Sequence, residues 1–227
     1  MITIALPKGR IADETLEIFE KVFKKEFIFE DRKLILNVEN FKFLAIRSQD
    51  VPTYVENGAA DIGVVGLDVL EEHKPNVLRL LDLGIGKCKV CVGIQKDKIL
   101  NYDKPNLTVA TKMINITKEF FAKKATPVSI IKLYGSIELA PLIGLSDLIV
   151  DNVETGTTMK QNGLKVAETI MDSSAFLISN KNSFINKKIE ILEIYDKISA
   201  VLWNFLIFSI ISFIIFIKVS LFFLSFE

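Results

Sequence analysis

The strongest chemical signal in the chain is the run Asp147-Leu-Ile-Val-Asp151-Asn-Val-Glu154-Thr155-Gly156-Thr157-Thr158-Met159. An apolar stretch ends in an acid, and a short Thr/Gly turn then leads into Lys160, Gln161 and Asn162. Such a turn offers backbone N–H groups and hydroxyls at the start of a helix, which stabilise a phosphate dianion through hydrogen bonds and the helix dipole. Gly156 lets the backbone approach the phosphate oxygens closely. Asp151 and Glu154, just ahead of the turn, are placed to accept hydrogen bonds from ribose hydroxyls of the same ligand. A Thr-capped helix following a strand would read similarly, because Thr is a common N-cap.

The second signal is Pro7-Lys8-Gly9-Arg10, directly after the apolar run Ile2–Leu6. In open parallel sheets, ligands bind at the carboxyl ends of the strands. Two cations beside a glycine suit a polyphosphate there, the Arg as a bidentate fork and the Lys as a point charge; a solvated basic turn is the plainer reading. Arg47, Asp50 and the stretch Gly58-Ala-Ala-Asp61-Ile-Gly63-Val-Val-Gly66 follow or bound neighbouring strands and are expected at the same edge. His73 sits in the polar run Glu-Glu-His-Lys, expected on the surface, and carries no expected catalytic role.

The elements that must carry these residues alternate. Ile2–Leu6, Phe43–Ile46, Asp61–Val65, Lys89–Ile94, Leu107–Ala110, Val128–Leu133, Leu148–Val150 and Ala175–Ser179 read as strands. Ala12–Phe23 has Leu16, Phe19, Val22 and Phe23 at helical spacing, with Asp13 and Glu14 in its first turn,. Val51–Asn57, Asp68–Glu72, Ile116–Ala125 and Ile137–Gly144 read as further helices, and Gln95–Asp103 as a surface loop. The order strand, loop, helix predicts a mostly parallel α/β sheet with helices on both faces.

Composition bounds the function. Half of the 227 residues are hydrophobic, and 28 basic side chains balance 28 acidic ones. That excludes intrinsic disorder and argues against a dedicated nucleic-acid binder. Cys88 and Cys91 form a lone C-x-x-C with only His73 elsewhere, read as two reduced thiols on a strand, with a metal or redox pair as the weaker alternative,. The N-terminus lacks a targeting signal, so the body is expected in the cytoplasm. From Val201 to Leu224 the chain is apolar except for Lys218. A membrane anchor, an apolar packing helix and an altered reading frame all fit that tail.

The blocks ITIALPKGRIADET, ENGAADIGVVGLDVLEE, LLDLGIGKCKVCVG and LYGSIELAPLIGLSDLIVDNVETGTTMKQNGL, with the ISN strand after them, resemble the catalytic subunit of ATP phosphoribosyltransferase in its short form. They stand in the family order from residue 2 to about 180, and the acid-acid-Thr-Gly-Thr-Thr turn resembles a 5-phosphoribosyl diphosphate loop. The resemblance implies two α/β lobes like a type II periplasmic binding protein, with the site in the cleft: 1–87 plus 176–200, and 88–175, followed by the atypical tail 201–227. It implies the first step of histidine biosynthesis, in which N1 of ATP attacks 5-phosphoribosyl diphosphate, with Mg²⁺, and pyrophosphate leaves.

By the same resemblance, Glu154, Thr155, Gly156, Thr157 and Thr158 bind the 5-phosphate and Asp151 the ribose. Lys8 and Arg10 face the diphosphate or triphosphate as the catalytic cations, and Arg47, Asp61, Gly63 and Gly66 lie near the nucleotide. No protein metal site is expected, the Mg²⁺ arriving on the substrate phosphates. The implied partner is a separate regulatory subunit similar to histidyl-tRNA synthetase, in a hetero-oligomer. Two departures stand out: Met113-Ile114 where the family has an aromatic and a proline, and the tail. A non-catalytic or degenerate two-lobed binding protein, tethered by that tail, is the alternative.

Overall fold

The computed structural model describes residues 1–30 and 32–203. It divides into two compact units: Met1–Val64, Val77–Leu83 and, among the described residues, 177–203 form the first, Val65–Asn76 and Gly84–Phe176 the second. Each holds one sheet.

The first sheet has the order β2-β3-β1-β4-β11-β5, from β1 (Ile2–Pro7), β2 (Ile35–Val38), β3 (Phe41–Ile46), β4 (Ile62–Gly66), β5 (Leu78–Asp82) and β11 (Ala175–Ser179). β1 lies between β3 and β4, parallel to both, and five of its six residues are buried, as a strand covered on both faces must be,. Helix α1 (Arg10–Phe23) packs Ala12, Leu16, Ile18 and Phe19 inward and ends at Lys24, whose left-handed backbone lets its N–H reach the Glu20 carbonyl,. The Phe19 ring meets Phe23, Phe27, Phe41 and Phe43 at centroid distances of 5.5, 5.9, 5.7 and 5.3 Å. Helix α2 (Val51–Glu56) covers β4 through Val51 and Val55.

The second sheet has the order β10-β6-β9-β7-β8, from β6 (Cys88–Gln95), β7 (Leu107–Thr111), β8 (Val128–Lys132), β9 (Leu148–Val153) and β10 (Leu164–Ser173). Both faces are buried: Val90, Val92, Val109, Phe121 and Val150 fill one, and Cys91, Ala110, Ile149, Met159 and Leu164 the other. Helices α3 (Leu67–His73), α4 (Ile114–Lys123), α5 (Leu139–Leu142) and α6 (Thr157–Gln161) belong to this unit by sequence position. α7 (Lys181–Asn186) and a helix over 188–203 follow β11.

Both sheets are mixed. β7 is parallel to β8 and β9, but β6 is antiparallel to β9 and β10, and β2 to β3. The link from β2 to β3 is the pair Glu39–Asn40, with Glu39 at φ 49°; a turn that short joins only antiparallel strands.

One local expectation changes, and one weaker alternative falls. The Glu-Glu-His-Lys run is not wholly a surface: His73 is exposed, but Glu72 is buried. Its carboxylate accepts from the N–H groups of Asn115 and Ile116, both at 3.0 Å or less, capping the start of α4. Cys88 and Cys91 lie three residues apart on β6, hence on opposite faces, which rules out a shared ligand,. Neither is in a disulfide, and burial pushes the Cys91 thiol up in pKa. The tail readings fall mainly on 204–227, outside the described residues. Among the described residues no helix is long and apolar enough to cross a membrane.

Candidate active site

In the second unit, the strand-turn-helix carrying Asp151 and the Thr/Gly run has the form the sequence predicts. Gly156 is the N-cap of α6 with φ 76° and ψ 1°. A Cβ there would meet only Val153 Cγ1, at 3.8 Å, so it is the left-handed backbone, not crowding, that asks for glycine. Glu154, Thr155, Thr157 and Thr158 are exposed. The Thr155 and Thr157 hydroxyls lie 2.8 Å apart, and the Thr157 N–H points to Thr155 Oγ1 at 3.4 Å. At five residues, α6 brings little dipole,; hydroxyls and first-turn N–H groups, which lack intrahelical partners, are what the turn presents.

The turn is anchored from below. Met159 is buried against the sheet, and a Cβ at Gly93 would sit 2.8 Å from Ile149 and 3.2 Å from the Met159 methyl. Gly93 therefore makes room for the residue that holds α6 down.

Asp151 Oδ1 accepts from the Asn152 N–H at 2.8 Å and pairs with Lys112 Nζ at 3.2 Å. Asn152 Nδ2 donates to Asp68 Oδ2 at 2.7 Å, while the Ser173 hydroxyl donates to Asp68 Oδ1 at 3.0 Å. Asn152 Oδ1 is buried with no partner among the described residues. Gly66 is explained here, since a Cβ would fall 2.2 Å from Asp68 Oδ1. Sequence reasoning passed over Lys112, Asp68 and Ser173. Lys112 had one readable signal, its place two residues after the strand predicted over Leu107–Ala110.

In the first unit, Lys8, Gly9 and Arg10 are exposed at the carboxyl end of β1, with Gly9 at φ 91°. Arg10 pairs with Glu14 at 3.5 Å. The Pro7–Ile46 register and the hydrogen bond from the Lys8 N–H to the Ile46 carbonyl (2.9 Å) bring Arg47, also exposed, to the same edge.

Asp61 and Gly63 do not join those cations. Ile62 pairs with Ile4 in parallel register, so Asp61 stands level with Thr3 at the opposite, amino edge of the sheet. Five residues along β1 separate Thr3 from Lys8, about 16 Å at 3.3 Å per residue. The Asp61 carboxylate accepts from the Thr3 N–H (2.9 Å), the Ser183 hydroxyl (2.7 Å) and Lys187 Nζ (2.7 Å). Burial pushes its pKa up, but Lys187, Thr3 and Ser183 outweigh that and hold it below the usual carboxylate value. Gly63 is a packing glycine, where a Cβ would lie 2.7 Å from Val55 and 3.0 Å from Val51.

The profile of the ATP phosphoribosyltransferase family matches residues 47–200. The ATP phosphoribosyltransferase of Campylobacter curvus is 72% identical over 198 residues, covering 87% of this chain and 96% of the relative. The chain belongs to the ATP phosphoribosyltransferase family. Its Wolinella succinogenes relative of the same name is 63% identical, over 88% of this chain and 97% of that one. A solved ATP phosphoribosyl transferase (HisG:HisZ) complex from Thermotoga maritima contains a chain 30% identical, at TM-score 0.79, over 90% of this chain and all of the other. The periplasmic aliphatic sulphonate binding protein SsuA from Escherichia coli, 13% identical at TM-score 0.60 over 88% of this chain and 72% of its own, shares the fold alone. As a family member, the chain transfers a phosphoribosyl group to ATP, the first step of histidine biosynthesis.

Proposed function

We propose that the turn Glu154–Thr158 holds the 5-phosphate of 5-phosphoribosyl diphosphate, with Asp151 on the ribose hydroxyls. The observation that carries this is the exposed Thr-Gly-Thr-Thr turn, with Gly156 in the left-handed region and the Asp151 carboxylate two residues before the end of the preceding strand β9. The adenine N1 lone pair attacks the anomeric carbon, a C–N bond forms, the C–O bond to the diphosphate breaks, and its electron pair leaves on pyrophosphate. That path is oxocarbenium-like and draws on positioning and charge stabilisation, not on a protein nucleophile. We assign the charge of the leaving diphosphate, or of the triphosphate, to Lys8 and Arg10, with Arg47 as a further cation for the nucleotide.

Among the described residues there is no group of three or more His, Cys, Asp or Glu able to hold a metal ion. We assign Mg²⁺ to the substrate phosphates, where it would neutralise the leaving group. The neighbouring Thermotoga maritima structure is a HisG:HisZ complex, and this chain covers all of its matched chain. That supports a separate regulatory subunit in a hetero-oligomer; we further propose that this subunit resembles histidyl-tRNA synthetase and that the reaction runs in the cytoplasm.

Pyrophosphate release from ATP and 5-phosphoribosyl diphosphate, with Mg²⁺ and with or without the partner, is the test. Weak release alone and full, histidine-inhibited release with the partner are expected. No release in either mixture from folded protein would refute the assignment.

A further inference from the structure

Asp151 must present a carboxylate oxygen to the ribose in one fixed direction, and the second unit contains a device for that. β7 and β9 are parallel neighbours with Thr111 opposite Val150, so Lys112 and Asp151 come side by side at the carboxyl end of the sheet. The backbone around Lys112 is pinned on both sides. The Thr111 hydroxyl donates to the Val150 carbonyl at 2.7 Å and accepts from the Met113 N–H at 2.9 Å. From that fixed base, Lys112 Nζ reaches Asp151 Oδ1 at 3.2 Å, and the Asn152 N–H binds the same oxygen at 2.8 Å. Oδ2 has no partner among the described residues. The Asp151 and Lys112 side chains are 16% and 29% exposed, so the pair is partly shielded from water and still open to a ligand.

We propose that Lys112 is a positioning residue for the phosphoribosyl substrate. It ties down one oxygen of Asp151 so that the other faces the ribose diol, a role that rests on the ribose lying at Asp151. An isolated aspartate on a strand end samples several rotamers. A carboxylate held twice through one oxygen has its second lone-pair set already directed, and binding then loses less freedom. Lys112 acts through Asp151 and need not touch the substrate.

The test is calorimetric titration of 5-phosphoribosyl diphosphate into the full chain, comparing wild type with D151N, K112Q, K112R and the double variant K112Q/D151N. D151N is expected to weaken binding about tenfold or more, the worth of one hydrogen bond to a charged group. K112Q should lose a similar factor. The double variant should be no weaker than D151N alone, because the two side chains act as one unit. K112R, which keeps the cation, should restore binding to within about threefold of wild type, since a guanidinium reaches the same oxygen. Losses that multiply in the double variant would make Lys112 an independent phosphate ligand and overturn the proposal, as would wild-type binding by K112Q. Wild-type binding by folded D151N would instead remove the ribose from Asp151, and the positioning role would fall with it. Melting temperatures of the variants report folding separately.

Discussion

Replacing Asp61 by Asn separates a structural acid from a ligand-binding one. The side chain is 9% exposed and accepts three hydrogen bonds, from Thr3, Ser183 and Lys187. In D61N the amide keeps one acceptor oxygen and presents an NH₂ where donors now point. The amide oxygen can keep Thr3 and Lys187 while the Ser183 hydroxyl turns to accept from the NH₂, so the loss is the charge-assisted part of these part-buried bonds, about 1–3 kcal/mol,. The lost ion pair adds at most about 1 kcal/mol, because Lys187 is 37% exposed and rehydrates,. A total of about 1–4 kcal/mol lowers the melting temperature by about 2–16 °C in a chain of this size. The pH dependence has a definite sign. The folded carboxyl is held below its ordinary value, so its stabilisation is complete above the unfolded pKa and is lost as pH falls through the lower folded one. Wild type and D61N should therefore differ at neutral pH and converge in strong acid. Thermal melts across that range measure this, and ATP titration well below the melting point should find unchanged affinity. A variant that melts like wild type yet binds ATP tenfold more weakly would refute the reasoning and return Asp61 to the nucleotide.

Further outcomes follow from the same geometry. Gly156→Asp should abolish 5-phosphoribosyl diphosphate binding in calorimetry by placing a carboxylate in the phosphate turn, whereas Gly156→Ala should cost about 1–2 kcal/mol of stability through its left-handed φ. Glu72→Gln should weaken the cap on α4 by about 1–2 kcal/mol in urea unfolding, the charge-assisted part of those bonds, with His73→Ala near zero as the exposed control. Arg10→Ala should lower kcat more than it raises KM if the guanidinium stabilises leaving-group charge, while its exposed pair with Glu14 contributes little to stability.

The parts of the fold with a strong local pattern were legible. β1, α1 and β6 announce themselves through runs and periods of apolar residues, and the Thr/Gly turn through its chemistry. β2 and β5 were not, because both are edge strands, only partly buried along their length. β10 hides for another reason: its register slips between Val166 and Glu168 and again between Thr169 and Met171, which breaks the two-residue alternation. At the site, Gly156 needed only its own turn to be understood. Asp61 drew its meaning from residues 3, 183 and 187, and Lys112 from an acid 39 positions later. Sequence spacing holds no trace of such pairings until the strands are ordered.

The placement of β11 has a consequence for how the chain is made. In the first sheet β11 lies between β4 and β5, so β5, finished at residue 82, has no sheet neighbour until residues 175–179 exist. At about 5–20 residues per second, a ribosome leaves that strand waiting for about 5–20 s. The whole sequence of the second unit ends at Phe176, before the last strand of the first is complete. The unit that begins the chain is thus the one that finishes folding last, and a nascent chain stalled before β11 leaves the edges of β4 and β5 open to chaperones or to aggregation.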